Sequence, residues 1–230
     1  LFAICFLFTG IFSFSQQDIS YKVPPKEIAD LLLVKPTPNV TVDSYGEWIL
    51  FTQSNSYPSV EELAQPELRI AGMRINPNNF ALSRQNFIND IWVKNSKTGK
   101  EYKIAGLPSP MSATSVFWSP NNKKIAFAQV SNRRVDLYVV DIAAHKATKI
   151  NKQPLNVLIA GSYQWLDDHT LLYRTILKPA SSAPPKSLMP KGPAIQQSLG
   201  KVAPKPTYQD LIKTPYDEQL FEFYTTAQLV

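Results

Sequence analysis

Short apolar stretches of strand period, broken by polar turns, recur along this chain and predict antiparallel hairpins. Three segments share the pattern of a hydrophobic strand, a polar turn and a second strand that ends on an aromatic residue. They run from Val42 to Phe51 around Tyr45-Gly46, from Phe117 to Phe127 around Asn121-Asn122, and from Gln164 to Tyr173 around Asp167-Asp168. A second kind of hairpin follows the first two. Asp90–Val93 pairs with Glu101–Ile104 across Lys97-Thr98-Gly99-Lys100, and Leu137–Asp141 pairs with Ala147–Ile150 across Ala143-Ala144-His145-Lys146. Each unit thus supplies an inner and an outer hairpin, four strands in all. Trp118 and Trp165 lie 47 positions apart, close to the roughly 40–50 residues of a propeller blade. The expected fold is all-β: a partial β-propeller of four-stranded antiparallel blades, with a short N-terminal helix and surface insertions.

Where the strand period lapses, other elements are predicted. Prolines at 24 and 25 followed by Ile28, Leu31 and Leu32 predict a short helix that ends before Pro36. An insertion over about 54–89 contains the helical turn Val60–Ala64, and its aliphatic content predicts that it packs instead of trailing in solvent. A second insertion, about 178–215, is rich in proline and is expected to run as a loop over the surface. Strand character is expected to return over Leu220–Val230, where the chain stops in mid-blade. With three blades at most, against the four to eight of closed propellers, the chain is expected to be a fragment.

Leu1–Phe14 is apolar and uncharged before Ser15-Gln16-Gln17-Asp18, which predicts a secretory signal over 1–15, truncated at its start, then an extension over 16–39 and the incomplete propeller over 40–230. A membrane anchor is the alternative, but about 14 apolar residues fall short of the roughly 20 that a span needs. The single cysteine, Cys5, lies inside that segment, so the mature part has no disulfide and no cysteine metal site. The expected location is periplasmic or extracellular. A net charge of +6 is scattered over the 230 residues, with Lys123-Lys124 and Arg133-Arg134 as tight pairs and no aromatic interleaving. No nucleic-acid partner is expected from this pattern.

Catalytic machinery is hard to find in these residues. Ala160-Gly161-Ser162-Tyr163 lacks the second glycine of a nucleophile elbow. His145 and His169 each fall in a predicted turn, without a second histidine at metal-ligand spacing, and are expected to be exposed. Asp167-Asp168 occupies a turn, where such side chains bond to backbone amides. Asn39-Val40-Thr41 fits a glycosylation sequon. Neither a metal nor a cofactor is expected. The polar constellation of most interest is Arg69, Arg74 and Arg84 in the first insertion, since arginine suits bidentate capture of a carboxylate. Surface pairing with Glu61, Glu62 and Glu67 is the competing expectation.

Several ordered motifs carry a family resemblance. Tyr21–Ile28, Leu63–Ile75, Pro184–Pro193 and Thr207–Lys213 resemble the N-terminal part of the glutamyl endopeptidases, members of the prolyl oligopeptidase family of serine peptidases. The resemblance runs from about Tyr21 to Val230. It implies an N-terminal propeller that restricts access to a C-terminal α/β-hydrolase domain with a Ser-Asp-His triad and cleavage after glutamate. That hydrolase part is absent from this chain, so no catalytic residue is assigned and the chain alone is expected to be inactive. The implied partners are a peptide or protein substrate and the hydrolase domain. Arg74 and Arg84 are the candidates for binding the substrate carboxylate. A stand-alone periplasmic propeller that binds proteins is the other reading of the blades.

Overall fold

The computed structural model describes residues 22, 24–159, 163–186, 200 and 209–230. The expected signal over 1–15, Cys5, the Gly161-Ser162 segment, most of the Pro184–Pro193 motif and the first two residues of the Thr207–Lys213 motif lie outside them. The chain divides into two units, Leu1–Val34 and Lys35–Val230. In the first, α1 (Lys26–Leu33) follows Pro25 and carries a Lys26–Asp30 ion pair one turn apart.

The second unit is mostly β, and its strands repeat one meander. The first meander contains β1 (Asn39–Val42), β2 (Trp48–Ser54), β6 (Ile88–Asn95) and β7 (Glu101–Lys103), each antiparallel to the next. The second contains β8 (Ala113–Trp118), β9 (Lys124–Val130), β10 (Val135–Asp141) and β11 (Lys146–Lys149) in the same order. Ile88 opposite Ala113 pairs β6 with β8, and a parallel bridge between Ala105 and Lys146 joins the two meanders at their outer strands. A third sheet contains β12 (Tyr163–Trp165), β13 (Leu171–Ile176) and β14 (Ala227–Leu229). The predicted inner and outer hairpins are thus present, and the fold is all-β in class.

Side-chain alternation explains how the sheets stack. Successive residues of a strand point to opposite faces, and β9 is buried on both. Ile125 and Phe127 join Leu50, Ile91 and Val93 of the first meander, whereas Ala126, Ala128 and Val130 join Tyr163 and the partly buried Trp165 of the third sheet. The small side chains on this second face admit Tyr163, whose hydroxyl donates to the Ala126 carbonyl at 3.1 Å. Burial pushes the Tyr163 hydroxyl pKa upward, so it remains a donor.

The inner-hairpin turns are tied to one another across the sheets. Asn122 donates through its side-chain amide to the Ser44 hydroxyl, and the Asn121 N–H donates to Asp168 Oδ1 at 2.8 Å. Gly46 and Asn122 hold the same left-handed position in their turns, at φ 68° and 58°. Within the third turn, Asp167 Oδ1 accepts the N–H groups of His169 and Thr170, both at 2.7 Å. The His169 amide leads in holding the Asp167 carboxyl below its usual range.

Both long insertions leave from the opposite end, at the connection between a meander's second and third strands. The first contains α2 (Val60–Leu63), β3 (Leu68–Ile70), β4 (Met73–Asn76) and β5 (Ala81–Leu82); the last three form a small antiparallel sheet. The second insertion contains a 3-10 turn, Ala180–Ser182, and α3 (Pro215–Thr225). Ile70, Ile75 and Phe80 of the first insertion share a core with Leu220 and Tyr224 of the second. Phe80 lies 5.1 Å from the Tyr224 ring and 5.9 Å from Phe223. The Gly72 N–H also reaches the Asp210 carbonyl at 3.3 Å.

One expectation is corrected here. Residues Leu220–Thr225 are helical, and only Ala227–Leu229 is a strand. Aromatic and threonine residues favour strands, but Thr214 caps the helix in a reciprocal box with Asp217, Pro215 supplies the first turn, and Leu220 and Tyr224 fall one turn apart on the buried face. The described start of the second insertion is largely exposed around the 3-10 turn, with Ala180 and Ala183 partly buried against the shared core. Phe80→Ala should destabilise the protein by about 3–5 kcal/mol, whereas Thr214→Ala should cost about 1 kcal/mol; urea unfolding midpoints measure both.

Candidate functional site

The first insertion concentrates charge on one face of a hairpin. Ala71 and Gly72, both with positive φ (52° and 74°), make the two-residue turn between β3 and β4. Leu68 faces Ile75 and Ile70 faces Met73 across the strands, and these side chains enter the shared core. The intervening pair is Arg69 opposite Arg74. Two like charges directly across a sheet repel, and a single carboxylate resolves the conflict. Glu67 Oε1 accepts from Arg69 Nε at 2.9 Å and from Arg74 Nη1 at 3.2 Å.

The other oxygen of Glu67 gathers the end of the insertion. Glu67 Oε2 accepts the Ser83 hydroxyl at 2.8 Å and pairs with Arg84 Nε at 3.0 Å. Ser83 is placed by its N–H, which donates to the Arg74 carbonyl at 2.8 Å. Arg84 follows with φ 56°. The Ser83 hydrogen bond, then Arg69, then the charges of Arg84 and Arg74 hold the Glu67 carboxyl below its usual range, against an opposing effect of burial. Three guanidinium groups around one carboxylate leave an excess of two positive charges. The Glu67 side chain is 11% exposed, against 51%, 40% and 49% for Arg69, Arg74 and Arg84. The surplus charge therefore faces solvent.

Arg84 also lines a cavity of about 70 Å³ between the insertion and the Ser131-Asn132 connection of the second meander. Leu63, Leu82, Phe87 and Val130 supply apolar wall, and Gln85 and Asn132 supply amides. Glu62 is present too, with its carboxylate committed to the Ser59 N–H in the cap of α2. Arg74 does not line this cavity. The two arginines singled out from sequence therefore meet on Glu67, and one of them opens into a pocket.

Of the expected acidic partners, Glu67 alone pairs with these arginines. Its role as the hub was open to sequence as the alternation Glu67-x-Arg69, which places both side chains on one strand face. The contribution of Ser83 had no comparable signal. His145 corrects another expectation. It is half-buried, stacked on Tyr102 at 4.1 Å, with Trp48 edge-on at 5.9 Å. It takes the left-handed turn position that Gly99 takes in the first meander, at φ 50° against 70°. His169 is exposed, as expected. Among the described residues, no group of three or more His, Cys, Asp or Glu side chains could hold a metal, and no helix is long and apolar enough to cross a membrane.

Comparison with known proteins finds similarity to part of two longer plant proteins. The chain is 30% identical over 226 residues to a probable chloroplastic glutamyl endopeptidase of Oryza sativa subsp. japonica, covering 92% of this chain and 24% of that protein. A probable chloroplastic glutamyl endopeptidase of Arabidopsis thaliana is 30% identical over 222 residues, covering 91% of this chain and 23% of the relative. The chain thus spans about a quarter of the length of the curated relatives it matches. No family model matches it.

The depressed carboxyl of Glu67 gives a pH prediction. A group whose pKa falls on folding contributes stability above its unfolded value, and that contribution is lost as pH falls through the folded value. Stability should therefore decline on acidification from the ordinary glutamate value of 4.5 downward, and Glu67→Gln should flatten that part of the profile. Denaturant midpoints from pH 7 to pH 3 provide the measurement.

Proposed function

We propose that this chain is the non-catalytic, propeller-forming part of an exported serine peptidase of the prolyl oligopeptidase family that cleaves after glutamate. The match to the two plant glutamyl endopeptidases carries this reading, because it runs along nearly the whole chain and occupies only about a quarter of each relative. The repeated four-stranded meanders support it, since stacked sheets of this kind are what propeller blades are made of. Chemistry would then reside in a hydrolase part outside this chain, where a serine, assisted by histidine and aspartate, performs acyl transfer. The meanders would restrict the approach of folded proteins to that centre and admit peptides. Export rests on the apolar run Leu1–Phe14, and fractionation of cells expressing the full-length protein tests it.

Recognition of a glutamate side chain requires a cation at the end of its reach. Arg74 and Arg84 fit that need through their surplus charge and exposure. In the full-length protein, peptides with Glu before the cut bond should be hydrolysed in preference to their Gln counterparts. Replacing Arg74 or Arg84 with Ala should lower that ratio of kcat/KM values by about tenfold, the worth of one charge-assisted hydrogen bond. A ratio unchanged in both variants would remove these arginines from substrate recognition. This chain alone should hydrolyse neither peptide.

A further inference from the structure

We propose that a cavity between the first two meanders, at the end that carries the inner turns, is a binding site for a single basic side chain of a peptide. The cavity measures about 460 Å³ and is walled by the turn that follows β1, the turn that precedes β9 and the start of the turn after β10. It shares no residue with the Glu67 cluster, and its argument does not depend on the peptidase reading above. Two of its wall residues are more than nine-tenths buried, Asp43 at 6% exposure and Asn122 at 8%. Each side chain makes one hydrogen bond and keeps a second acceptor. Asp43 Oδ1 accepts the Glu47 N–H at 2.8 Å, and the Asn122 side-chain amide donates to the Ser44 hydroxyl. Asp43 Oδ2 and Asn122 Oδ1 have no protein partner among the described residues. Carboxylate and carbonyl oxygens accept only, so the group that suits them is a donor.

Charge and lining select the ligand. Glu47 and Asp141 add two carboxylates to the wall, and Asp141 Oδ1 accepts the Ala144 N–H at 2.9 Å. Lys123 lines the cavity as well, and the exposed Lys97 pairs with Glu47 at 3.9 Å. Three carboxylates thus face two ammonium groups, and the excess is negative. Trp48 and Tyr45 supply aromatic wall, and the face of such a ring attracts an ammonium or guanidinium group. A metal ion requires carboxylates that converge, and among the described residues no group of three or more does so. A water needs about 10–15 Å³ of such space, so a cavity of about 460 Å³ admits the long stem of a lysine or arginine together with its charged end.

The test uses the full-length protein labelled with fluorotryptophan, in which Trp48→Phe assigns the Trp48 fluorine signal. The probes are capped Gly-Lys-Gly, its norleucine counterpart, which keeps the stem and lacks the charge, and butylamine. The lysine peptide should move the Trp48 signal and bind about tenfold more tightly than the norleucine peptide at low salt, with butylamine weaker than the lysine peptide. Asp43→Asn keeps an acceptor for the Glu47 N–H and removes the charge, so it should bring the two peptides within about twofold. Glu101→Gln, an equal loss of charge at an exposed pair outside the cavity, should leave the ratio in place. Salt gives a readout that needs no variant: it should weaken the lysine peptide and leave the norleucine peptide unchanged. Equal binding of the two peptides, or a Trp48 signal that neither moves, would overturn the site. Butylamine binding as tightly as the lysine peptide would overturn a peptide as its ligand. The preference for Glu over Gln in hydrolysis bears on none of these outcomes, so either reading can fail alone.

Discussion

A four-stranded meander has two faces to cover and cannot cover either by itself. In this protein the second meander is the centre of that constraint, because both of its faces are buried, one by the first meander and one by the third sheet. Alternation along β9 divides the work: branched and aromatic residues on one side, alanines on the other. The small side leaves space for Tyr163, which crosses from the third sheet to bond with the β9 backbone. Sheet stacking, and with it the position of everything attached to the sheets, follows from this allocation of large and small residues.

The two ends of the meanders are held by different forces. At one end, turn meets turn through directed hydrogen bonds, from Asn122 to Ser44 and from Asn121 to Asp168. These bonds link turns far apart in sequence and are specific in geometry. At the other end, two insertions that are remote in sequence meet through apolar side chains around Phe80 and Tyr224. Apolar burial is less directional, so it tolerates elements as dissimilar as a hairpin and a helix. The charged face of that hairpin is free to serve chemistry because the opposite face already anchors it.

Much of this architecture is written locally in the chain. The hairpins are legible because the strand period and the turn residues agree, as at Tyr45-Gly46 and Lys97-Thr98-Gly99. The helix at Pro215–Thr225 is concealed because Phe221, Phe223, Tyr224 and Thr225 favour strands, and the decisive signal lies upstream of them at Thr214 and Asp217. The half-buried state of His145 depends on Tyr102 and Trp48, which belong to another meander, and nothing local announces it. The candidate site is intermediate. Its arginines were legible as a group by chemistry, and the register that sets Arg69 against Arg74 explains why Glu67 must sit between them. The cavity beside Arg84 needs Val130 and Asn132 from the second meander, which no local pattern supplies.

The placement of the insertions bears on how such a chain can change over time. Lengthening an inner-hairpin turn would shift Ser44, Asn121, Asn122 or Asp168 off partners that lie in a neighbouring sheet, so one added residue would disturb two turns together. The second-to-third strand connections meet one another mainly through apolar side chains, which tolerate changes of length better than paired turns do. The connection spans four residues in the second meander, between Val130 and Val135, and has grown to hold a small sheet in the first and a helix in the third. New binding chemistry can therefore be added at one end of the sheets without renegotiating the stack, and the Glu67 cluster stands on one such addition.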